Sequence, residues 1–238
     1  MAAPSDLLYV QHLIDSDAIH GTVLELGSYN RQGFDGGNFR ALCERGGLQW
    51  EGTDIEAGPG VDFTLDLLDR DAVTSIGRRW DTVLVMNLLE HVYDPIRVLE
   101  HALLLLAGGG ALVVAGPTVW QLHDFPGDYW RPMPDFFLEF ARRNGCTLDI
   151  ADMRWLVGVA LIPLDDLSVG TQKLLPSTFN AGRLYGGRRA RWSRLVHRAA
   201  HTIGRDLFFP YAGLGVCMVS GGSQATTSPR EVAAAVRS

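Results

Sequence analysis

Four short groups of residues have the types and spacing for chemistry. Glu25-Leu26-Gly27-Ser28-Tyr29 ends an apolar run with an acid, a glycine and a small polar residue. Glycine there permits a sharp turn and lets a ligand approach the backbone. It serves equally in an ordinary strand-to-helix turn. Asp54, in Gly52-Thr53-Asp54-Ile55, closes the next run. A carboxylate at that place can accept both hydroxyls of a ribose, or simply cap a turn. Asn87-Leu88-Leu89-Glu90-His91-Val92-Tyr93-Asp94-Pro95 follows a third run. The fourth group is His123-Asp124-Phe125-Pro126-Gly127-Asp128-Tyr129-Trp130-Arg131. Histidine titrates near neutrality, so His123 is a candidate base, with Asp124 a second base or a substrate anchor. Tyr129, Trp130 and Arg131 offer aromatic surface and a cation to a sugar or phenolic ring, or plain packing.

The elements that must position these groups follow from hydrophobic spacing. Residues 22–26 predict a strand stopped by Gly27, and residues 39–45 a helix closed by Gly46-Gly47. Residues 48–54 and 61–66 predict two more strands, with a helix over 72–79. The run DTVLVMN, 81–87, is nearly all apolar, which marks a strand buried on both faces. Pro95 opens a helix over 96–106. Residues 110–115 predict a fifth strand ended by Gly116-Pro117, and 134–144 a helix stopped at Asn144-Gly145. Residues 146–151 and 213–220 predict the last two strands. Such alternation builds right-handed βαβ units, hence an α/β fold with helices on both faces of a largely parallel sheet. Residues 155–211 break the rhythm and are expected to form a cap or interface insertion. Residues 1–220 then make one domain, and the small, polar residues 221–238 a flexible tail.

Composition narrows the classes. With 238 residues, 47% hydrophobic and 20% charged, the chain can bury one sizeable core. A net charge of -6 disfavours nucleic acid as the partner. Cys43, Cys146 and Cys217 are scattered and odd in number, so neither a disulfide scaffold nor a cysteine zinc site is expected. The opening MAAPSDLLYV has no basic segment before a long apolar core, and a cytoplasmic location is the expectation. The uncharged run from Ala102 to Leu122 contains Gly108-Gly109-Gly110 and Pro117, and reads as a helix end and a strand rather than a membrane span. From Arg183 to Arg205, seven arginines alternate with Leu184, Trp192, Leu195, Val196 and Ile203. That pattern suits either a solvated helix face or contact with an anionic membrane or an acidic acceptor.

Taken in order, the four groups resemble the class I S-adenosylmethionine-dependent methyltransferases, in the branch called type 11. That pattern has an acid, glycine and small residue after the first strand, here Glu25 to Ser28. An acid ends the second strand (Asp54), an LEHV-x-DP segment follows the fourth (Leu89 to Pro95), and a GG-x-L-x-V-x-x-P strand comes next (Gly109 to Pro117). The resemblance covers residues 20 to 150. It implies a Rossmann-like, doubly wound sheet of about seven strands, with the last one antiparallel. One departure is plain: the family's second loop glycine is Tyr29 here, and glycine returns only at Gly33. The same absence breaks the G-x-G-x-x-G pattern of nicotinamide enzymes.

The resemblance implies S-adenosyl-L-methionine as cofactor, cradled by Gly27, Ser28 and Tyr29. Asp54 would hold its ribose, Ile55 its adenine face, and Asp66 with Leu67 the adenine amino end. Glu25, with Asn87 and Leu88, would lie at the methionine end. Glu90 and His91 occupy the place of an ExxEH metal site in ubiquinone-pathway O-methyltransferases, with Asn87 in place of the first acid, which suggests Mg²⁺. Elsewhere in the family that pair only opens a helix. The expected reaction is O-methylation of a small molecule, a sugar or another natural product. A silent nucleoside-binding protein, a membrane-associated methyltransferase of a lipid-linked glycan, and a homodimer are the other expectations.

Overall fold

Strands and amphipathic helices alternate along the chain, as the apolar runs require. The computed structural model describes residues 4–30, 39–120, 122–123, 126–157, 160–164 and 212–221. Helix α1 (Pro4–Asp15) leads into β1 (Thr22–Leu26), α2 (Phe39–Arg45), β2 (Gln49–Asp54) and the two-residue β3 (Phe63–Thr64). Then come α3 (Arg70–Ser75), β4 (Trp80–Met86), α4 (Pro95–Leu105) and β5 (Leu106–Val119). Helix α5 (Pro134–Asn144), β6 (Cys146–Thr147), β7 (Arg154–Val157), β8 (Ala160–Pro163) and β9 (Ala212–Ser220) follow.

The strands form one sheet in the order β3-β2-β1-β4-β5-β9-β7-β8, with β6 also paired to β9. Strands β1 to β5 are parallel, and β9 runs antiparallel to β5. The sheet is wound one way through β1, β2 and β3 and the other way through β4 and β5. A crevice therefore opens beyond the carboxyl ends of β1 and β4, where α/β sheets bind ligands. The described residues of all four groups lie at or beyond the carboxyl ends of β1, β2, β4 and β5.

Strand β4 shows how the core is divided. Val83 and Val85 join Leu24, Leu26, Val98, Leu99 and Phe137 on one face of the sheet. Leu84 and Met86 join Tyr9, Val10 and Phe39 on the other. Burial on both faces is what the unbroken apolar run requires. Caps set the helix starts: Asp69 accepts from the Asp71 and Ala72 amides, and Asp94 from Arg97 N ahead of Pro95. Gly145, at φ 65°, ends α5.

Four elements differ from the sequence reading. Helix α1 has no counterpart in it. Strand β5 runs past Gly116-Pro117, because β9 continues to pair there, Leu214 with Gly116 and Gly213 with Pro117. Proline is tolerated since β4 stops pairing at Ala115, and the register shifts before Val119. The expected strand over 146–151 is split. A 3₁₀ turn (Ile150–Asp152) divides β6 from β7, and both pieces lie along β9. Part of the expected insertion, from Trp155, belongs instead to the β7–β8 hairpin, which widens the sheet beyond β9. The arginine-rich stretch from Arg183 to Arg205 and the expected tail lie outside the described residues.

Candidate functional site: a loop cradle beside a carboxylate–histidine cluster

The first loop leaves β1 through Gly27 at φ +78°, a conformation that favours glycine. A Cβ there would come within 2.9 Å of Leu88 Cδ1. Gly27 N and Ser28 N both donate to Thr53 O, at 2.8 and 3.1 Å, so the loops after β1 and β2 are tied together. Ser28 Oγ donates to Gly60 O at 2.8 Å, and Asn30 N to Pro59 O at 2.9 Å. Tyr29 N donates to Asp54 Oδ2 at 3.1 Å, and Glu56 N to Asp54 Oδ1 at 3.2 Å. Two backbone amides thus fix the carboxylate of Asp54 at the end of β2. Tyr29 has no left-handed φ. Its ring lies against Gly58, where any Cβ would collide with it. The loop therefore needs no second glycine at that position.

Ile55 is 67% exposed beside Asp54, an apolar side chain open to a flat partner. Leu65 N donates to Asp54 O at 2.9 Å, which pins the loop carrying Asp66 and Leu67 to the same rim. Asp66 is exposed and accepts from Leu68 N, while the carbonyl of Leu67 is held by the buried His101 at 2.7 Å.

Glu25 lies lower on β1, where Trp50 Nε1 donates to Oε2 at 3.0 Å. Although part of the residue stays exposed, loss of water pushes its carboxyl up to about 8, with the Trp50 bond opposing. Asn87 ends β4 at φ +50°. Its amide donates to Asp6 Oδ2 at 2.7 Å, and Asp6, on α1, is 5% exposed. Asn87 is thus a tie between α1 and the sheet.

The second part of the site begins three residues on. Leu89–His91 make one 3₁₀ turn, in which Glu90 is only 2% exposed. Its Oε2 has no hydrogen-bond partner among the described residues. Burial pushes the Glu90 carboxyl up to about 7, against the pull of His91 and Arg131. Tyr129 N donates to Glu90 O at 2.7 Å, joining the loops after β4 and β5. His91 Nδ1 lies 2.8 Å from Gly127 O. A carbonyl only accepts, so Nδ1 carries a proton, and in the neutral ring Nε2 keeps its lone pair. That Nε2 is 3.9 Å from Glu90 Oε1.

His123 stands edge-on to His91, with ring centroids 5.0 Å apart. Its Nδ1 is 3.1 Å from Asp128 Oδ2, in ion-pair range, and its backbone N donates to the same oxygen at 2.9 Å. Arg131 grips both oxygens of Asp128, which holds that carboxyl well below the usual range. Tyr93, 85% exposed, and Tyr129 meet edge to face at 6.0 Å on the rim.

The structure thus gathers Gly27, Ser28, Tyr29, Asp54 and Leu88 around one cradle, and Glu90, His91 and His123 around a second centre. Asp124 and Gly33 lie outside the described residues. Asp128 and Asp6 were not singled out from sequence. Asp128 stood within a quoted group but lacked a visible partner, and Asp6 sits on a helix that was not foreseen.

Glu90, His91 and His123 bring one potential ligand atom each to within 4.8 Å of one another. Mg²⁺ prefers an all-oxygen, octahedral shell. One carboxylate and two imidazoles do not fit it.

No family model and no curated protein matches the sequence. Similarity to solved structures is extensive in coverage and low in identity. MccD is 15% identical at a TM-score of 0.50, over 92% of this chain and 100% of that one. Coclaurine N-methyltransferase, solved with N-methylheliamine and S-adenosylhomocysteine, is 14% identical at a TM-score of 0.50, over 91% of this chain and 72% of that one. Among the described residues no helix is long and apolar enough to cross a membrane. The fold is the Rossmann-like α/β fold found in S-adenosylmethionine-dependent methyltransferases.

Proposed function

We propose that the protein is an S-adenosyl-L-methionine-dependent methyltransferase acting on a hydroxyl of a small molecule, a sugar or another natural product. One observation carries the reading. The Gly27–Asp54 cradle and the Glu90–His91–His123 cluster are adjacent at one end of the sheet, joined through Leu88. A donor site and a site able to handle a hydroxyl proton thus lie side by side.

When bound, the cofactor supplies a methyl group on a sulfonium, which leaves without protonation. The chain's own residues do the rest. Asp54 is oriented by the Tyr29 and Glu56 amides to accept from a ribose. Gly27, at φ +78° and packed by Leu88, supplies the turn that carries the loop over the end of β1. His123 would take the hydroxyl proton as the acceptor oxygen is methylated. Asp128, anchored by Arg131, stabilises the resulting imidazolium. Tyr93 and Tyr129 give a ring-shaped acceptor an aromatic wall.

The test is calorimetric titration of S-adenosylhomocysteine into wild type and Asp54→Ala, followed by labelled methyl transfer to a panel of sugars and phenols. Micromolar binding, weakened about ten-fold or more by the substitution, supports the cradle. A turnover loss of about 10²-fold or more in His123→Ala on a hydroxyl acceptor supports the base. Tight binding with transfer only to amines removes the hydroxyl reading. Binding with no turnover on any acceptor leaves a silent nucleoside-binding protein.

A further inference from the structure

Glu90 is an acid sealed in the protein with one oxygen unsatisfied among the described residues. Leaving such a group unpaired is costly, so the site calls for a partner. Two imidazoles face it. His91 is oriented for ligation: its Nδ1 proton goes to Gly127 O, and its Nε2 faces Glu90, a bare donor in the neutral ring. A metal-binding histidine characteristically hands its other ring proton to a carbonyl or a carboxylate. His123 stands beside the Asp128 carboxylate, and Asp128 is held by Arg131. The ring of His91 is thus braced by a carbonyl, while that of His123 lies against a carboxylate without a hydrogen bond from its Nδ1.

We propose that Glu90, His91 and His123 bind one divalent transition cation of the zinc class, with a fourth position open to the acceptor oxygen; in the metal-bound chain His123 is a ligand and not the base, and the ion would instead acidify the hydroxyl, whose proton passes to solvent. Two imidazoles and one carboxylate with an open position are a donor set for a catalytic metal rather than a closed structural one. Tetrahedral zinc at about 2.0–2.1 Å sets its donors roughly 3.4 Å apart. The three atoms, now within 4.8 Å, must draw together by up to about 1.4 Å. His91 and His123, with side chains 30% and 31% exposed, have room to make that shift. The identity of the fourth ligand rests on the methyltransferase reading, whereas the three-residue site does not.

The experiment uses the full chain stripped with chelator, titrated calorimetrically with ZnCl₂ and spectroscopically with CoCl₂. One ion per chain is expected, with the visible absorption of four- or five-coordinate cobalt. Glu90→Gln, His91→Ala and His123→Ala should each weaken zinc about ten-fold or more. His91 also braces the Gly127 loop, so His123→Ala, whose loss leaves the core untouched, carries the decision. Asp54→Ala should bind zinc as wild type does while losing S-adenosylhomocysteine. Excess MgCl₂ should not displace zinc. No zinc binding, binding unchanged in His123→Ala, or displacement by magnesium would each overturn the proposal. If S-adenosylhomocysteine then still binds, the methyltransferase reading survives. Zinc bound through these three residues without S-adenosylhomocysteine binding would support the site and remove that reading instead.

Discussion

Glu25 keeps its proton well above the pH at which a surface carboxylate releases it. Its folded pKa of about 8 stands above the ordinary value of 4.5 because burial strips water from the charged form. Between those values the folded chain holds a proton that the unfolded chain gives up. Stability from this group therefore falls as pH rises through that window and levels off above it. Glu25→Gln removes the titration and keeps an acceptor for Trp50 Nε1. The variant's melting temperature should fall less than that of wild type across the same window, and parallel melting curves would show that Glu25 is ionised throughout. At this scale the sequence was most informative where one residue type suffices. Gly27 and Asp54 could be placed because the ends of two apolar runs mark where the turn and the acid fall. The partners of His91 and Asn87 could not, since Gly127 is 36 positions from one and Asp6 is 81 from the other.

Helix α1 shows why an element can be missed. Tyr9, Val10 and Leu13 are buried, but so are the polar Ser5 and Asp6, which blur its apolar face. Of the two, Asp6 is the one turned to the site. Asp6 crosses to Asn87 and holds α1 over the carboxyl end of β4. The short strands β7 and β8, four residues each, were hidden for another reason: they carry too few residues to show a period. By contrast, β1, α2 and α5 were read to their ends, because glycine or proline marks their boundaries. Asp6→Ala leaves the Asn87 amide without that acceptor at a half-buried position. It should destabilise the protein by about 1–3 kcal/mol in urea unfolding. Asp6→Asn, which can still accept, should recover part of that loss. If both variants unfold like wild type, α1 is held by its apolar face alone.

The whole sheet is not uniformly secure, and its order says where it should open. Strand β4 lies between β1 and β5, with Val83, Leu84 and Val85 fully buried on its two faces. Its amides can exchange only when both core layers come apart. At the far side, β8 pairs with β7 alone among the described residues, and β7 reaches the sheet through three register pairs with β9. That hairpin can peel away while the parallel half keeps its core. The candidate site draws on β1, β2, β4 and β5, so it is built on the half that opens last. Native-state hydrogen exchange should therefore separate two classes of amide. Protection in β4 should fall with added denaturant, as global unfolding requires, while that in β8 should be lower and nearly independent of denaturant. Equal, denaturant-sensitive protection in both would mean that the hairpin is locked into the global unit. The site's rigidity would then depend on all nine strands rather than on the parallel half.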